Sequence, residues 1–442
     1  MGKSKQAIDY AFNHGLLMYQ QEGSLNHAPI TYKPSLFPKT HFQQAQLLAG
    51  DFNQLMVKVA NNADLMQDIL HTVDDAFTQH LFKLYQQVYI NSTATQALAG
   101  NLFRADYLLH QQDDKTFLRQ VEINTIASAF VAFSSQVSRL HQFIHPQKNL
   151  LKNNALKNMV KGLARAWQAY GRKQAVIGFV VQAGEKNIFD QQQLAYALFF
   201  NHGIRVKRFT LEQLHHAQIK NQRLFFQGEE IAVAYFRAGY TPNDYQHHNS
   251  WSARLLLERC SAIKVPTLAF QLAGMKKVQN ALASPPLLKQ LISDKKQRQR
   301  IQGCFAQFYD LASADLRQHA CHYPQLYVLK PQREGGGNNL YGTELAEQLK
   351  TLSKKQRSAW ILMQRIQSPV QNNRLIQQQK TTKKLPVINE LGIFSACLSQ
   401  GQQIQHQTKT GHLLRTKVAH HNEGGISAGF AVLDSPELSE KG

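Results

Sequence analysis

The pattern between residues 176 and 270 most constrains the fold, because short apolar runs alternate there with longer amphipathic segments. VIGFVV and IRVKRF have the length of buried strands, and QQQLAYALFF, which Asp190 can begin and Gly203 can end, has the length of a helix. LFFQGEEIAVAYF predicts a hairpin that turns at Gln227 and Gly228, followed by a helix through WSARLLLERC and a strand near VPTLAF. Strands that alternate with helices form α/β layers, so we predict a largely parallel sheet here.

The two flanking parts of the chain have different patterns. Residues 1–175 are predicted to be mainly helical, because apolar side chains recur at helical spacing, for example over 65–73, although FLRQVEINT reads as a strand. Residues 278–442 mix helix and strand signals and carry glycine-rich loops. We therefore predict a mainly helical region at 1–175 that contributes the EINT strand, an α/β domain at 176–277, and a mixed region at 278–442 with a glycine-rich lid.

Charge and cysteine content narrow the possible partners. The formal net charge of +21 favours anionic ligands, but the basic residues are dispersed. The densest basic run, KKQRQR at 295–300, has no interleaved aromatic residue, which indicates a solvated helix face rather than a nucleic-acid site. Four cysteines without a CxxC pair, no apolar signal segment at the N-terminus and no membrane-length apolar run lead us to expect a cytoplasmic protein with no membrane partner.

The glycine triplet in LKPQREGGGNNLYG, residues 329–342, predicts a loop whose backbone can come close to a ligand. It is not a Walker A motif, because Lys330 precedes the glycines and ends a strand, YVLK. The returning NLYG predicts a hairpin flap that can lay backbone N–H groups over phosphates, with Lys330 as a point charge. Glu334 would repel phosphates unless a cation such as Mg²⁺ lay between them. On this pattern alone, a structural glycine turn is about as consistent as a nucleotide flap.

A second candidate set lies in VEINT. On a strand, Glu122 and Asn124 point to one face, whereas Val121 and Ile123 are expected to face a core. Oxygen ligands on one face suit a hard cation, and Glu334 could supply a third ligand from elsewhere in the chain. The alternative is the polar edge of an ordinary strand.

Two more segments carry cations beside glycines. In LLRTKVAHHNEGGISAG, residues 413–429, Arg415 and Lys417 share one face of an extended segment, and a glycine pair follows. In AYFRAGYTP, Arg237 and Tyr240 stand at the end of a predicted strand, where α/β sheets bind ligands. A surface hairpin with solvated cations is the alternative interpretation of the first of these segments.

Together and in this order, the segments resemble the eukaryotic-type glutathione synthetase family of ATP-grasp ligases. The resemblance covers about residues 101–433 and rests on QVEINT, YFRAGY, ARLLLER, QLAGMKKVQ, LKPQREGGGNNLYG, ILMQRI, INELGIF and HLLRTK with the glycines that follow it. It implies an ATP-grasp fold of the α/β (α+β) kind, with an inserted parallel α/β substrate-binding domain. It also implies ligation of γ-glutamylcysteine to glycine with ATP and Mg²⁺ through an acyl phosphate, by a homodimer.

The resemblance further implies roles for individual residues. The expected metal ligands are Glu122, Asn124 and Glu334, and the expected catalytic cations are Lys276, Lys330 and Arg415. The other residues expected to face the nucleotide are Pro331, Gln332, Arg333, Gly335, Gly336, Gly337, Asn338, Asn339, Tyr341, Met363, Gln364, Arg365, Ile366, Glu390, Lys417 and Glu423. The residues expected to face the substrates, besides Arg415, are Arg104, Ile126, Ala127, Ser128, Ala129, Glu185, Lys186, Asn187, Gln191, Arg237, Ala238, Gly239, Tyr240, Ile426 and Ser427.

The chain departs from the family pattern at a few of these positions. Ala127 and Ala129 stand where serines are usual, Ala238 replaces an aspartate, and Gln364 with Arg365 replaces an acid–lysine pair. These changes leave two alternatives open, namely a ligase for β-alanine or another small amine and a nucleotide-binding homologue without catalysis. The retained metal and phosphate positions favour the ligase.

Overall fold

The structure of the chain is a computed structural model that describes residues 2–20, 22–148, 150–422, 424–426 and 429–440. The first region contains six strands and six helices among these residues. In chain order they are α1 (Lys3–Asn13), β1 (Leu17–Tyr19), β2 (Leu25–His27), β3 (Ile30–Thr31), β4 (Ser35–Pro38), α2 (Lys39–Ala60), α3 (Ala63–Leu70), α4 (Ala76–Tyr85) with a π-helical turn at Gln86–Ile90, β5 (Leu98–Gln112), β6 (Lys115–Asn124), α5 (Val131–Ile144) and α6 (Ala155–Tyr170).

The middle region follows the alternation predicted for it. Its elements are β7 (Val176–Val180), α7 (Ile188–His202), β8 (Val206–Phe209), a 3₁₀ turn (Gln213–His216), β9 (Gln218–Lys220), β10 (Arg223–Phe226), β11 (Glu229–Phe236), a second 3₁₀ turn (Pro242–Tyr245), α8 (His248–Arg259), β12 (Ile263–Val265), α9 (Leu268–Ala273) and α10 (Lys276–Leu282). Strand β11 pairs in parallel with β7 and β12, and β7 pairs in parallel with β8. The predicted hairpin is present, since Phe226 pairs with Glu229 across Gln227 and Gly228, both at positive φ.

Of the local predictions in this region, one is displaced and one is wrong. The strand predicted near VPTLAF is β12, but it ends at Val265, and the Thr267 side chain then caps α9 by accepting a hydrogen bond from Phe270 N. Asp190 does not begin its own helix, because Asn187 occupies the N-cap of α7. The Asp190 carboxylate instead accepts hydrogen bonds from backbone N–H groups at the start of α5, at 2.8–3.0 Å. Unpaired N–H groups at a helix start attract a carboxylate from any element that packs there.

The last region contains the remaining elements. They are α11 (Pro285–Leu291), α12 (Lys295–Cys304), β13 (Phe308–Tyr309), α13 (Ala314–His322), a 3₁₀ turn (Pro324–Leu326), β14 (Tyr327–Pro331), α14 (Gly342–Thr351), a 3₁₀ turn (Gln356–Ala359), β15 (Trp360–Gln364), β16 (Gln371–Asn373), β17 (Leu375–Gln377), β18 (Lys380–Thr381), β19 (Leu385–Gln400), β20 (Gln403–Gln407), β21 (Gly411–Val418), β22 (Ala431–Asp434) and β23 (Pro436–Ser439).

The largest sheet joins the two ends of the chain. It has ten strands, and its main path runs β18-β17-β3-β22-β21-β19-β5-β6, with β16 and β20 also paired to β19. The long strand β19 lies antiparallel to both β5 and β21. The prediction for residues 1–175 included β6 but not β5, whose buried run LFRADYLL lacks the period-2 alternation of a strand with one solvated face. The division into three domains stays a prediction.

A small α/β layer carries the glycine loop. Strands β13, β15 and β14 form a three-stranded sheet, on which α13 and α14 pack through a core of their own that includes Leu311, Leu345 and Leu349. The chain returns from the loop at Leu340, which exchanges backbone hydrogen bonds with Leu329 of β14 at 2.8 and 3.1 Å. The expected flap is therefore present, and its returning arm consists of a single bridged residue pair. We call residues 332–341 the flap.

Among the described residues, no helix is both long enough and apolar enough to cross a membrane.

Candidate active site

A cavity of about 400 Å³ lies where the large sheet, the end of β11, the start of α10 and the flap meet. Most of the side chains predicted for the site line it. They are Arg104, Glu122, Asn124, Ile126, Ala127, Ser128, Ala129, Glu185, Asn187, Arg237, Tyr240, Lys276, Lys330, Arg333, Glu334, Gly335, Gly336, Asn338, Asn339, Tyr341, Met363, Arg365, Ile366, Glu390, Arg415, Lys417 and Ile426. Residues far apart in the chain are thus brought to one place.

Other predicted residues do not line this cavity. They are Pro331, Gln332, Gly337, Gln364, Lys186, Gln191, Ala238 and Gly239. Several of them hold the walls: the Gln332 side chain accepts a hydrogen bond from Lys277 N at 2.9 Å, and the Gln191 amide donates to Glu185 Oε2 at 2.6 Å. Glu423 and Ser427 lie outside the described residues. The role predicted for each of these residues stays a prediction.

Two carboxylates flank one lysine at the centre of the cavity. Lys276 Nζ lies 3.3 Å from Glu334 Oε1 and 3.7 Å from Glu122 Oε2. Burial raises the pKa of Glu334 to about 7, with Lys276 opposing this rise and the charge of Glu122 adding to it. Burial acts on Glu122 in the same direction, but nearby cations, Lys276 foremost, lower the pKa of Glu122 to about 2. One lysine does not fully offset the two carboxylates, so the pair still attracts positive charge.

Strand β6 presents the first carboxylate as predicted, but it does so with a bulge. Asn124 Nδ2 donates to Asp106 Oδ2 at 2.9 Å and to Glu122 Oε1 at 3.2 Å, so both predicted ligands share one face. Ile123 is buried, whereas Val121, also expected in the core, lines the cavity. The register shifts between Asp106 and Tyr107 on the partner strand β5, and such a bulge redirects the side chains beside it.

The residues present fit a magnesium ion. Among the described residues, no group of three or more His, Cys, Asp or Glu side chains is gathered as a metal site. The set here is smaller, with two carboxylates and the Asn124 amide. Mg²⁺ is commonly held by one or two carboxylates while substrate phosphates and water complete its shell. Burial is the main cause of the raised pKa of Glu334, and a divalent cation held by Glu122 and Glu334 would offset the repulsion from Glu122 that adds to it.

Arg415 on β21 is fixed by two buried acids. Its Nη2 lies 2.5 Å from Glu390 Oε1 and 3.0 Å from Asp106 Oδ2. Burial alone would lower the pKa of Arg415, but Glu390 and Asp106 raise it well above its ordinary value. Gly424 packs against the same acid, since a Cβ there would approach Glu390 Oε2 to 2.8 Å. The arginine is held in one position with its charge intact.

The end of β11 presents a second buried arginine. Arg237 is 5% exposed, and its Nε and Nη1 atoms have no hydrogen-bond partner among the described residues. The turn after it is tied down, because Asp244 Oδ2 accepts hydrogen bonds from Gly239 N, Tyr240 N and Thr241 N at 2.9–3.1 Å. A buried guanidinium with unpaired N–H groups that faces a cavity is suited to a carboxylate.

The flap reaches over the cavity with glycine geometry. Gly335, Gly336 and Gly337 have φ values of +101°, +73° and +75°, a region that other residues enter at a cost. A Cβ on Gly335 would lie 3.5 Å from the Tyr240 ring, so the flap meets the wall opposite its own strand.

The far end of the cavity is more apolar. Met363 and Ile366 line it together with Val328 and Ile388, and Arg365 joins two walls through Asn422 Oδ1 at 2.9 Å. Residues that the sequence analysis did not assign also line the cavity, namely Leu108, Val121, Phe130, Val328, Gln367, Ser368, Val370, Ile388, Ala419, His421, Asn422, Gly424 and Gly425. The glycine pair was noted in the sequence as a possible source of backbone amides for an anion. The apolar members carried no signal, because they share the periodicity of core residues.

Left-handed glycines on a flap, two buried lysines, a carboxylate pair and an apolar end are together features of a nucleotide site of the ATP-grasp class. The chain matches the model of the eukaryotic glutathione synthase, ATP binding domain, over residues 3–438. The glutathione synthetase of Homo sapiens is 38% identical over 456 residues, which cover 98% of this chain and 96% of the human protein. That of Dictyostelium discoideum is 36% identical over 468 residues, with 98% of both chains covered. The chain belongs to the eukaryotic glutathione synthetase family.

A solved structure supports the fold independently. A glutathione synthetase-like effector from Globodera pallida, in apo form, has a TM-score of 0.81 and 22% identity, and the match covers 99% of this chain and 96% of that chain. The predictions of the family, of a mixed α/β ATP-grasp fold and of a glutathione synthetase acting as an ATP-dependent ligase are confirmed.

Proposed function

We propose that the chain joins γ-glutamylcysteine to glycine at this cavity, with ATP as the phosphoryl donor and Mg²⁺ as the metal. The observation that carries the proposal is Lys276 between Glu122 and Glu334 beneath the flap. Lysines that bind phosphate and carboxylates that bind metal have to converge for phosphoryl transfer. Mg²⁺, held by Glu122, Asn124 and Glu334, would neutralise charge on the phosphates when bound.

The protein contributes position and charge to each step. Lys276 and Lys330 are proposed to hold the phosphates while the flap glycines cover them, and Arg237 is proposed to hold a carboxylate of the dipeptide. An oxygen of the dipeptide's C-terminal carboxylate attacks the γ-phosphorus, and ADP leaves. The glycine amine then attacks the acyl carbon and loses a proton, and inorganic phosphate leaves with the bonding electrons. Arg415, fixed by Glu390, is proposed to stabilise the oxyanion that forms.

Closure of the flap also serves the intermediate. An acyl phosphate reacts with water, so the cavity has to exclude it until the amine attacks. The flap lies close to the opposite wall of the cavity, since a Cβ built on Gly335 would lie 3.5 Å from the Tyr240 ring.

The test is an acceptor panel with ADP formation as the measurement. Purified protein receives ATP, Mg²⁺ and γ-glutamylcysteine together with glycine, β-alanine or serine. We expect ADP release that requires the dipeptide and is fastest with glycine. Faster ADP release with β-alanine than with glycine would instead indicate the related ligase that uses β-alanine. No ADP release with any acceptor would refute the proposed function. Repeating the glycine assay with Mg²⁺ removed by a chelator should abolish ADP release.

We also propose that the chain forms a homodimer and that it is located in the cytoplasm. The face of α7 exposes Tyr196, Phe199 and Phe200, with Phe200 79% exposed, and a second copy would cover these rings in a homodimer. Light scattering should give twice the mass of one chain, and Phe200→Glu should shift the measured mass towards that of one chain.

The four cysteines are all free thiols, which supports a reducing compartment such as the cytoplasm. Cell fractionation tests this location.

A further inference from the structure

The flap is tied to the body of the protein by an ion pair whose acidic partner, Asp75, does not line the cavity. Arg333 Nη1, near the base of the flap, lies 2.6 Å from Asp75 Oδ1 at the start of α4. The Asp75 side chain is 10% exposed, and Asp75 does not line the cavity. The Arg333 side chain is 30% exposed, and a partly buried pair of this kind is screened less by salt than a fully exposed pair.

The two oxygens of Asp75 have separate partners. Oδ2 accepts hydrogen bonds from Thr78 N at 2.8 Å and from Thr78 Oγ1 at 2.7 Å, so it caps α4. Oδ1 is left for Arg333. Helix α4 buries Phe77 and Leu81 in the main core, and a helix N-terminus stabilises negative charge. The carboxylate is therefore a rigid anchor for whatever binds Oδ1.

The backbone of Arg333 transmits this position to the site. Its carbonyl oxygen accepts a hydrogen bond from Lys276 Nζ at 2.5 Å, and the next residue is Glu334. The same lysine is paired with Glu334 Oε1. A shift of Arg333 would therefore displace the proposed metal ligand and the proposed phosphate-binding lysine together.

The neighbouring aspartate makes a different contact. Asp74 Oδ1 pairs at 3.3 Å with Lys355, whose side chain is 82% exposed. Lys355 follows α14 in the sequence and is not part of the flap. Asp74 does not line the cavity either. Asp75 is therefore connected to the flap and Asp74 is not, so the same substitution at Asp74 is a matched control.

We propose that Asp75 is a positioning residue for the ligase reaction, which through Arg333 sets the location of Glu334 and Lys276 for the nucleotide and its metal. The proposal rests on the proposed roles of Glu334 and Lys276. Asp75 does not line the cavity and is expected to act through Glu334 and Lys276. Its substitution should therefore weaken the binding of ATP rather than that of the dipeptide.

The experiment compares Asp75→Asn with Asp74→Asn in the full-length protein. Asparagine is as good an N-cap as aspartate, so α4 and the melting temperature should be retained, whereas the charge that holds Arg333 is lost. We expect the KM for ATP of Asp75→Asn to rise about tenfold or more, the loss that corresponds to one good charge-assisted contact. The KM for γ-glutamylcysteine should change less than about twofold, and Asp74→Asn should match the wild type in both constants.

A double mutant isolates the pair. Arg333→Gln should raise the KM for ATP to a similar degree, and adding Asp75→Asn to it should have no further effect, because the two residues act as one contact. Additive losses would overturn the proposal. So would an unchanged KM for ATP in Asp75→Asn, or an equal rise for both substrates accompanied by a lower melting temperature, which is the result expected of a purely structural residue.

Calorimetric titration with ATP and Mg²⁺ separates this proposal from the proposed function. Wild-type protein that forms no ADP with any acceptor would refute the proposed function alone. In that case, weaker ATP binding by Asp75→Asn than by Asp74→Asn would still support the positioning role, and equal binding by both, or no binding by the wild type, would overturn it.

Discussion

Glu334 is the residue whose environment most directly links the structure to the chemistry. It is a carboxylate beside the flap glycines, with its pKa raised to about 7 by burial and by the charge of Glu122, although Lys276 opposes this rise. An acid in this position is poorly placed unless positive charge arrives with the substrate. Single side chains at this site are therefore expected to act through charge more than through shape.

Glu334→Gln tests this role of charge. The substitution keeps the size of the side chain and removes its negative charge, so we expect kcat to fall about 10²–10³-fold, as for other single groups that stabilise a transition state. ADP formation measures the loss. Glu344→Gln, an exposed residue of α14, is the matched control and should behave as the wild type. Wild-type turnover by Glu334→Gln would favour a role without metal chemistry.

Arg237→Gln tests the other end of the cavity. Loss of the buried guanidinium removes the proposed partner of a substrate carboxylate, so the KM for γ-glutamylcysteine should rise about 10–100-fold while that for ATP changes little. Steady-state kinetics with each substrate varied in turn provide the measurement. Arg172→Gln removes a half-exposed arginine outside the cavity and is the control. Equal effects on both substrates would contradict this assignment.

At the scale of elements, the site depends on close contact between segments that do not follow one another. Strand β19 places Glu390 against Arg415 of β21, and the loop after β21 passes so near Glu390 that a Cβ at position 424 would lie 2.8 Å from Glu390 Oε2. Helix α5 starts on a carboxylate supplied by α7. These contacts hold the walls of the cavity in place before any ligand binds.

Gly424→Ala tests the fit of that loop. A methyl group 2.8 Å from Glu390 Oε2 forces either the loop or the carboxylate to move, and Glu390 is paired to Arg415. We expect kcat/KM to fall about tenfold, equivalent to roughly 1.4 kcal/mol of transition-state stabilisation. Gly303→Ala in α12 meets nothing within 4 Å and should leave activity intact. A fully active Gly424→Ala variant would show that the loop adapts without consequence.

At the scale of the whole molecule, buried histidines make stability depend on pH. His412 in β21 is buried against the Phe42 ring, with centroids 5.2 Å apart, and its Nε2 has no hydrogen-bond partner among the described residues. Burial lowers the pKa of His412 from 6.5 to about 4. Between these values the unfolded chain binds the proton and the folded chain does not, so the free energy of unfolding falls as pH decreases through this window.

His412→Phe tests this dependence. In wild type we expect the histidine to cost up to about 3 kcal/mol of stability by pH 4, because each pH unit between the folded and unfolded pKa values corresponds to about 1.4 kcal/mol. Urea denaturation at pH 7 and pH 5 should show a smaller decrease for His412→Phe than for the wild type. His202→Gln, at an exposed position on α7, should keep the wild-type dependence. The same decrease in all three proteins would assign the effect to other groups.

Local patterns in the sequence determined the parts of this protein that depend on near neighbours. The strands around Ile177 and Val233 and the turn at Gln227 were predictable because apolar periodicity and turn residues act over a few positions. The flap was predictable for the same reason, since three glycines permit backbone that other residues avoid. The family followed from the order of such segments.

Only the tertiary structure decided which side chains meet. Nothing near Asp190 in the sequence indicates that it caps α5, and nothing near Asp75 indicates that it holds Arg333 of the flap. Leu108 and Val328 of the cavity wall could not be told from core residues, because an apolar side chain has the same pattern whether it packs on protein or faces a ligand. Contacts between distant segments depend on how helices and sheets pack, and that information is spread over the whole chain rather than held in any one stretch.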